Sequence, residues 1–189
     1  MNASGLPVAA AIIDALRCLP ATSGTGWPGE EVGGIIDPIL ALHSSNAAQW
    51  DREDDVRREH ANDAKVAAAK RDIDQLNRAR HALIEAIDRA ILDAIEPCVE
   101  APLVTESPGM AIDRLSVLVI RLASTEALAA SGTADAGLVS ERIPRLRSQL
   151  ASLEEAIATL LNDLTHGTRR FIGHESLKLY GPDGRGAGG

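Results

Sequence analysis

The stretch DAKVAAAKRDIDQLNRARHALIEAIDRAILDAI, from Asp63 to Ile95, decides the fold. It is rich in Ala, the residue that loses least on entering a helix, and no Gly or Pro interrupts it before Pro97. Val66, Ile73, Leu76, Leu83, Ile84, Ile87 and Ile91 fall on one stripe at helical spacing. Arg80 lies in the centre of that stripe, and Lys70, Asp74, Asn77, Glu85 and Asp88 run along its edge. A long amphipathic helix of this kind needs apolar neighbours, and the rest of the chain supplies them.

A first short helix is expected over residues 7–19, between Pro7 and Pro20, followed by a Gly-rich loop from Ala21 to Gly34. That loop lacks the Gly-Lys-Ser/Thr ending of a phosphate-binding loop, so its glycines do not define a nucleotide site. A second helix runs from Ile35 to about His60. Past the third, a loop over residues 97–107 ends at Ser107-Pro108, a helix cap followed by a first-turn proline. The helix from Met110 to Ala130 is apolar nearly all round, which predicts burial in the middle of a bundle. Ser131 to Gly137 reads as a small-residue linker. The last long helix follows Pro144, with Leu146, Leu150, Leu153, Ile157, Leu160 and Leu164 at helical spacing, and stops at Gly167.

Composition agrees. Of 189 residues, 45% are hydrophobic and only 2% aromatic, so the core must come from Leu, Ile, Val and Ala. That mixture favours helices over a β-sandwich. The expected fold is all-α: an antiparallel bundle of about five helices around a long central pair, in one domain over 1–180, with a Gly-rich tail over 181–189. A net charge of −8 and no dense basic patch argue against nucleic acid as a partner. No signal peptide and no membrane span are read, so the expected place is the cytoplasm. Cys18 and Cys98 are too few for a disulfide framework and read as reduced, half-buried thiols.

The second helix carries the unusual pattern. Its inward face opens with Ile36, Ile39 and Leu42 and continues through His43, Asn46, Trp50, Glu53, Asp54 and Arg57. The opposite face, with Ser44, Ser45, Asp51, Arg52, Asp55, Arg58 and Glu59, is an ordinary solvent face. Unpaired buried charge costs several kcal/mol, so the inward groups must pair with one another or with a ligand. Partners are at hand: Lys70, Asp74, Asn77, Arg80, Glu85 and Asp88 on the third helix, and Asp113, Arg114 and Ser116 near the start of the fourth. An interhelical salt-bridge network without a ligand is the plain alternative.

The stretches HSSNAAQWDREDDVR (His43 to Arg57), KRDIDQLNRARHALIEAID (Lys70 to Asp88), ESPGMAIDRLSVLVIR (Glu106 to Arg121) and LKLYGPD (Leu177 to Asp183) together resemble the bacterial domain-of-unknown-function family numbered 4254. The resemblance implies an all-helical fold. It also implies a biosynthetic setting, since members often sit near genes for surface-polysaccharide or natural-product assembly. Gly181 stands where the family's final motif usually has Asn beside the Tyr. Two shorter likenesses lead elsewhere. Ile73, Asp74, Asn77 and Arg80 are spaced as in the first helix of helical chorismate mutases, which bind dianions without metal. Glu53-Asp54 with Glu85-x-x-Asp88 is similar to the paired acids of all-α nucleotide pyrophosphatases, which hold Mg²⁺.

The reading that follows is a small helical biosynthetic enzyme with a polar pocket for a small anionic metabolite, such as a sugar or natural-product intermediate. His43, Glu53 and Asp54 are the catalytic candidates, His43 and Glu53 as general acid and base. Arg57, Arg80 and Arg114 are the expected anion clamps, and Asn46, Asn77 and Trp50 orient and wall the substrate. Lys70, Asp74, Asp113 and Ser116 complete the binding set. Neither a cofactor nor a metal is expected, because the carboxylates are mixed with Arg57, Lys70 and Arg80. The expected partner is a small-molecule ligand, with neither nucleic acid nor membrane, and a homodimer stays open. The alternatives are a non-catalytic binding or accessory subunit of a biosynthetic complex, and a Mg-dependent pyrophosphatase-like hydrolase. A sealed polar interior would favour the accessory subunit.

Overall fold

A computed structural model describes residues 9–18, 34–58, 63–133 and 136–175. They form α1 (Ala9–Cys18), α2 (Ile36–Arg58), α3 (Asp63–Ala94), α4 (Pro108–Ala130), α5 (Ala136–Ser140) and α6 (Ile143–Thr165), and among them there is no β-strand. The all-α bundle expected from composition is what the chain forms. α2 and α3 pack along one another and are joined by only four residues, which forces them antiparallel. α4 is the hub, packing against α2 and α3 on one side and α6 on the other, while α1 lies against α2, α4 and α6.

The core is aliphatic. Ile12 and Leu16 of α1, Ile39 and Leu42 of α2, Ile84, Ile87 and Ile91 of α3, Ile112 and Leu115 of α4, and Ile157, Leu161 and Leu164 of α6 form one cluster with Phe171. Fully burying a side chain of this size contributes about 1.5–3 kcal/mol. Among the described side chains of α3, the fully buried ones all lie in its second half, from Ile84 onward.

The start of α4 is set by local chemistry. Ser107 caps the start, its hydroxyl accepting from the Met110 amide, and Pro108 occupies the first turn as expected, so the helix begins two residues before Met110. The expectation that α4 is buried throughout fails beyond Ser116, where only Ile120 is buried. Val117, Leu118, Val119 and Leu122 are half-buried, because α6 covers one flank and leaves the other open. The stretch read as a linker, Ser131 to Gly137, instead runs into the short helix α5. α6 ends just before Gly167, whose φ of +68° suits a residue without Cβ.

A single parallel bridge joins Leu103 to Arg170, with the Val104 amide donating to the Arg170 carbonyl at 2.9 Å and the Arg170 amide to Pro102 at 3.1 Å. It ties the loop before α4 to the segment after α6. Cys98 in that loop is exposed rather than half-buried. The Gly-rich loop, the side chains of Cys18, Arg57 and Val66, the motif at Leu177–Tyr180 and the tail 181–189 lie outside the described residues. Among the described residues no helix is long and apolar enough to cross a membrane.

Candidate functional site

The inward polar face of α2 meets the first half of α4 in a buried chain of hydrogen bonds. His43 and Ser116 are both buried, with His43 Nδ1 and Ser116 Oγ 2.9 Å apart. Asn46 Nδ2 donates to Ser116 Oγ at 3.1 Å and to Asp113 Oδ1 at 3.0 Å. Arg80 reaches across from α3, its Nε donating to Asp113 Oδ1 at 2.7 Å and its Nη2 to Asp113 Oδ2. The fork is bidentate, the geometry in which a guanidinium holds a carboxylate best.

The chain is polarised from inside to outside. His43 is 1% exposed, and burial pushes its imidazole down to about 4, so it is neutral near pH 7. Its Nε2 is enclosed and has no hydrogen-bond partner among the described residues. Asp113 is also 1% exposed, whereas the Arg80 side chain is 30% exposed. The hydrogen bond to Asp113 raises the Arg80 guanidinium above its ordinary range, burial opposes this, and Asp113 and Glu53 add to the rise through their charge. The network is sealed at His43 and open at Arg80.

Arg80 opens into a cleft of about 590 Å³ where α3, α4 and α6 meet. Arg114 and Arg121 of α4 share its wall with Val117 and Leu118, and Gln149, Ser152 and Leu153 of α6 face them. Arg114 was expected as an inward clamp but is 57% exposed and paired with Glu106 in the segment leading into its own helix. It reaches the cleft from the rim.

The other expected site residues divide. Glu53 is half-buried, accepts from Gln49 at 3.2 Å and acts on Arg80 by its charge. Trp50 and Asp54 are half-buried but line a different cavity, beyond Arg121. Asn77 is half-buried. Lys70 and Asp74 are exposed, against expectation, because the first half of α3 has no fully buried position among its described side chains.

Asp88, read as an edge carboxylate and a candidate Mg²⁺ ligand, has another task. It is buried, with Oδ1 accepting from the Gly109 amide at 2.7 Å and Oδ2 from the His174 amide at 2.8 Å. It thus supplies the negative charge that the α4 N-terminus favours, and that end is filled from within the fold. Both oxygens being engaged, the pairing Glu85-x-x-Asp88 lacks its second ligand. Among the described residues no three His, Cys, Asp or Glu side chains gather as a metal site would need. His174 also stacks on His81, with Nε2 3.0 Å from His81 Nδ1, and burial, then the neighbouring His174, lowers the His81 imidazole.

Arg121, Gln149, Arg142 and Arg145 were not singled out from sequence. The signal was nonetheless present: Arg114, Val117, Leu118 and Arg121 recur at three- and four-residue spacing, one helix face with a cation at either end.

No curated protein and no solved structure matches the chain. A family model matches residues 37–172, well over half of the sequence, which takes in α2, α3, α4 and α6 and every member of the network. The chain therefore belongs to the family described as Protein of unknown function (DUF4254).

Proposed function

We propose that the protein binds a small anionic metabolite in the cleft between α3, α4 and α6, with Arg80, Arg114 and Arg121 as its anion contacts. One observation carries this reading: three guanidinium groups converge on one concave, partly apolar surface of a chain whose net charge is −8. Arg80 is held in place by Asp113, which Asn46 holds in turn, so little side-chain freedom is lost when an anion meets its exposed edge. Fixed guanidinium groups suit carboxylate and phosphate oxygens.

Acid–base turnover is the second reading. Its proton acceptor is Glu53, half-buried and close enough to influence Arg80, rather than His43, which is sealed beneath the network. His43 is then a positioning residue, acting through Ser116, Asn46 and Asp113. A sealed His43 favours the accessory, non-catalytic form of the function.

Isothermal titration with inorganic phosphate, a hexose phosphate and the uncharged hexose tests the reading. Binding of the phosphorylated ligands alone, weakened at least about tenfold by Arg121→Ala with unchanged melting temperature, is expected. Equal binding of the neutral sugar, or no binding of any probe, would overturn it.

A further inference from the structure

The cleft does not end at Arg121. A second cavity of about 980 Å³ continues past it, with Arg121 and Gln149 forming the boundary of both. Trp50 on α2, Leu128 on α4 and Leu146 on α6 supply its apolar walls, and Arg142 and Arg145 reach it from the start of α6. Two cationic ends therefore lie along one side of α4. Arg80 and Arg114 make the near end, Arg142 and Arg145 the far end, and Arg121, on the boundary of both cavities, belongs to each. Seven residues of helix separate Arg114 from Arg121, an axial distance of about 10 Å. Val117 and Leu118, both half-buried, lie between.

The ends differ in how far their charge is already met. Arg80 is held by Asp113 and Arg114 by Glu106. Arg121, Arg142 and Arg145 have no side-chain ion pair among the described residues, although all three line the same cavity. Two carboxylates, Asp51 and Asp54, also line it from α2, and each is engaged in interactions of its own. Three neighbouring cations without partners repel one another, and an anion between them relieves that repulsion.

We propose that the groove takes an elongated ligand with an anionic group at each end and an apolar middle. One group sits against Arg80 and Arg114, the other among Arg121, Arg142 and Arg145, and the spacer lies over Val117 and Leu118. This rests on the anion-binding reading of the near end and adds its ligand class.

The probes are a series of linear α,ω-dicarboxylates, from succinate through suberate and sebacate to dodecanedioate, with octanoate as the single-ended control. Titrated into the full chain, affinity should peak at suberate or sebacate and exceed that of both succinate and octanoate by about tenfold or more, because the second contact becomes intramolecular. Arg145→Ala should reduce the best diacid to the level of succinate while leaving succinate and the melting temperature unchanged. Equal binding of succinate, octanoate and the long diacids would overturn the two-ended groove and leave the near-end site standing. No binding by any of these probes, nor by inorganic phosphate, would overturn both.

Discussion

Arg80 on α3 grips Asp113 on α4 with two nitrogens, and Asn46 on α2 donates to the same Asp113 oxygen that receives Arg80 Nε. Three helices thus meet on one buried carboxylate. It has no water to fall back on if its partners are removed.

Arg80→Met should therefore cost about 3–5 kcal/mol, since a buried charge stranded without its counter-ion is penalised more than the pair was worth. For a domain of this size the melting temperature should fall by on the order of 10 °C. The double variant Arg80→Met, Asp113→Leu should recover most of that loss. Thermal unfolding of both variants checks the point, and a single variant as stable as the parent would contradict it.

His43 predicts the direction of the pH dependence. Its folded value of about 4 lies below the ordinary 6.5, so between those values the unfolded chain binds the extra proton. Stability contributed by neutral His43 is full above pH 6.5 and is lost progressively as pH falls toward 4. The shift corresponds to roughly 3 kcal/mol over that window. His81 is displaced the same way and adds to the slope. Urea midpoints at pH 7 and pH 4.5 should differ markedly for the parent and less for His43→Gln. An equal difference in both chains would remove His43 from the explanation.

Gly109 tests the packing of α3 against α4. A Cβ there would stand 2.7 Å from the Ile84 carbonyl oxygen and 2.8 Å from Asp88 Oδ1. Gly109→Ala should cost about 1–3 kcal/mol, although alanine is the better helix former. A more stable alanine variant would mean the helices are not this close.

Asp88→Asn should free one amide. A side-chain amide has a single acceptor oxygen, so either Gly109 or His174 loses its partner, at about 1–3 kcal/mol. Hydrogen exchange should quicken at one of those two amides. Unchanged protection at both would rule out the double role of Asp88.

Much of this was legible in the sequence, and the reasons are local. Ser107-Pro108 marks a helix start by its own hydrogen-bonding chemistry, and the aliphatic stripes mark which face of each helix turns inward. His43, Asn46, Asp113, Ser116 and Arg80 converge because each lies on such a stripe where no apolar residue replaces it. Periodicity says nothing, however, about how far along a helix its inward face is covered. Lys70 and Asp74 share an edge with Asp88, yet only Asp88 lies where α4 crosses. The arginine-lined groove was missed for the opposite reason. Arg121 and Arg145 lie on different helices, and only the sideways placement of α6 brings them onto one concave surface.

The contact at Gly109 has a mechanical consequence. Held by Asp88 and pressed against the Ile84 carbonyl, this end of α4 is a fulcrum. A tilt of α4 that preserves both contacts must turn about it, and displacement then grows with distance along the lever. A tilt of about 5° would carry the Arg114 backbone by only about 0.7 Å but that of Leu128 by about 2.5 Å. Such a tilt moves the near end of the groove least and the far end most, so a change in the groove's width would fall to the Leu128 end.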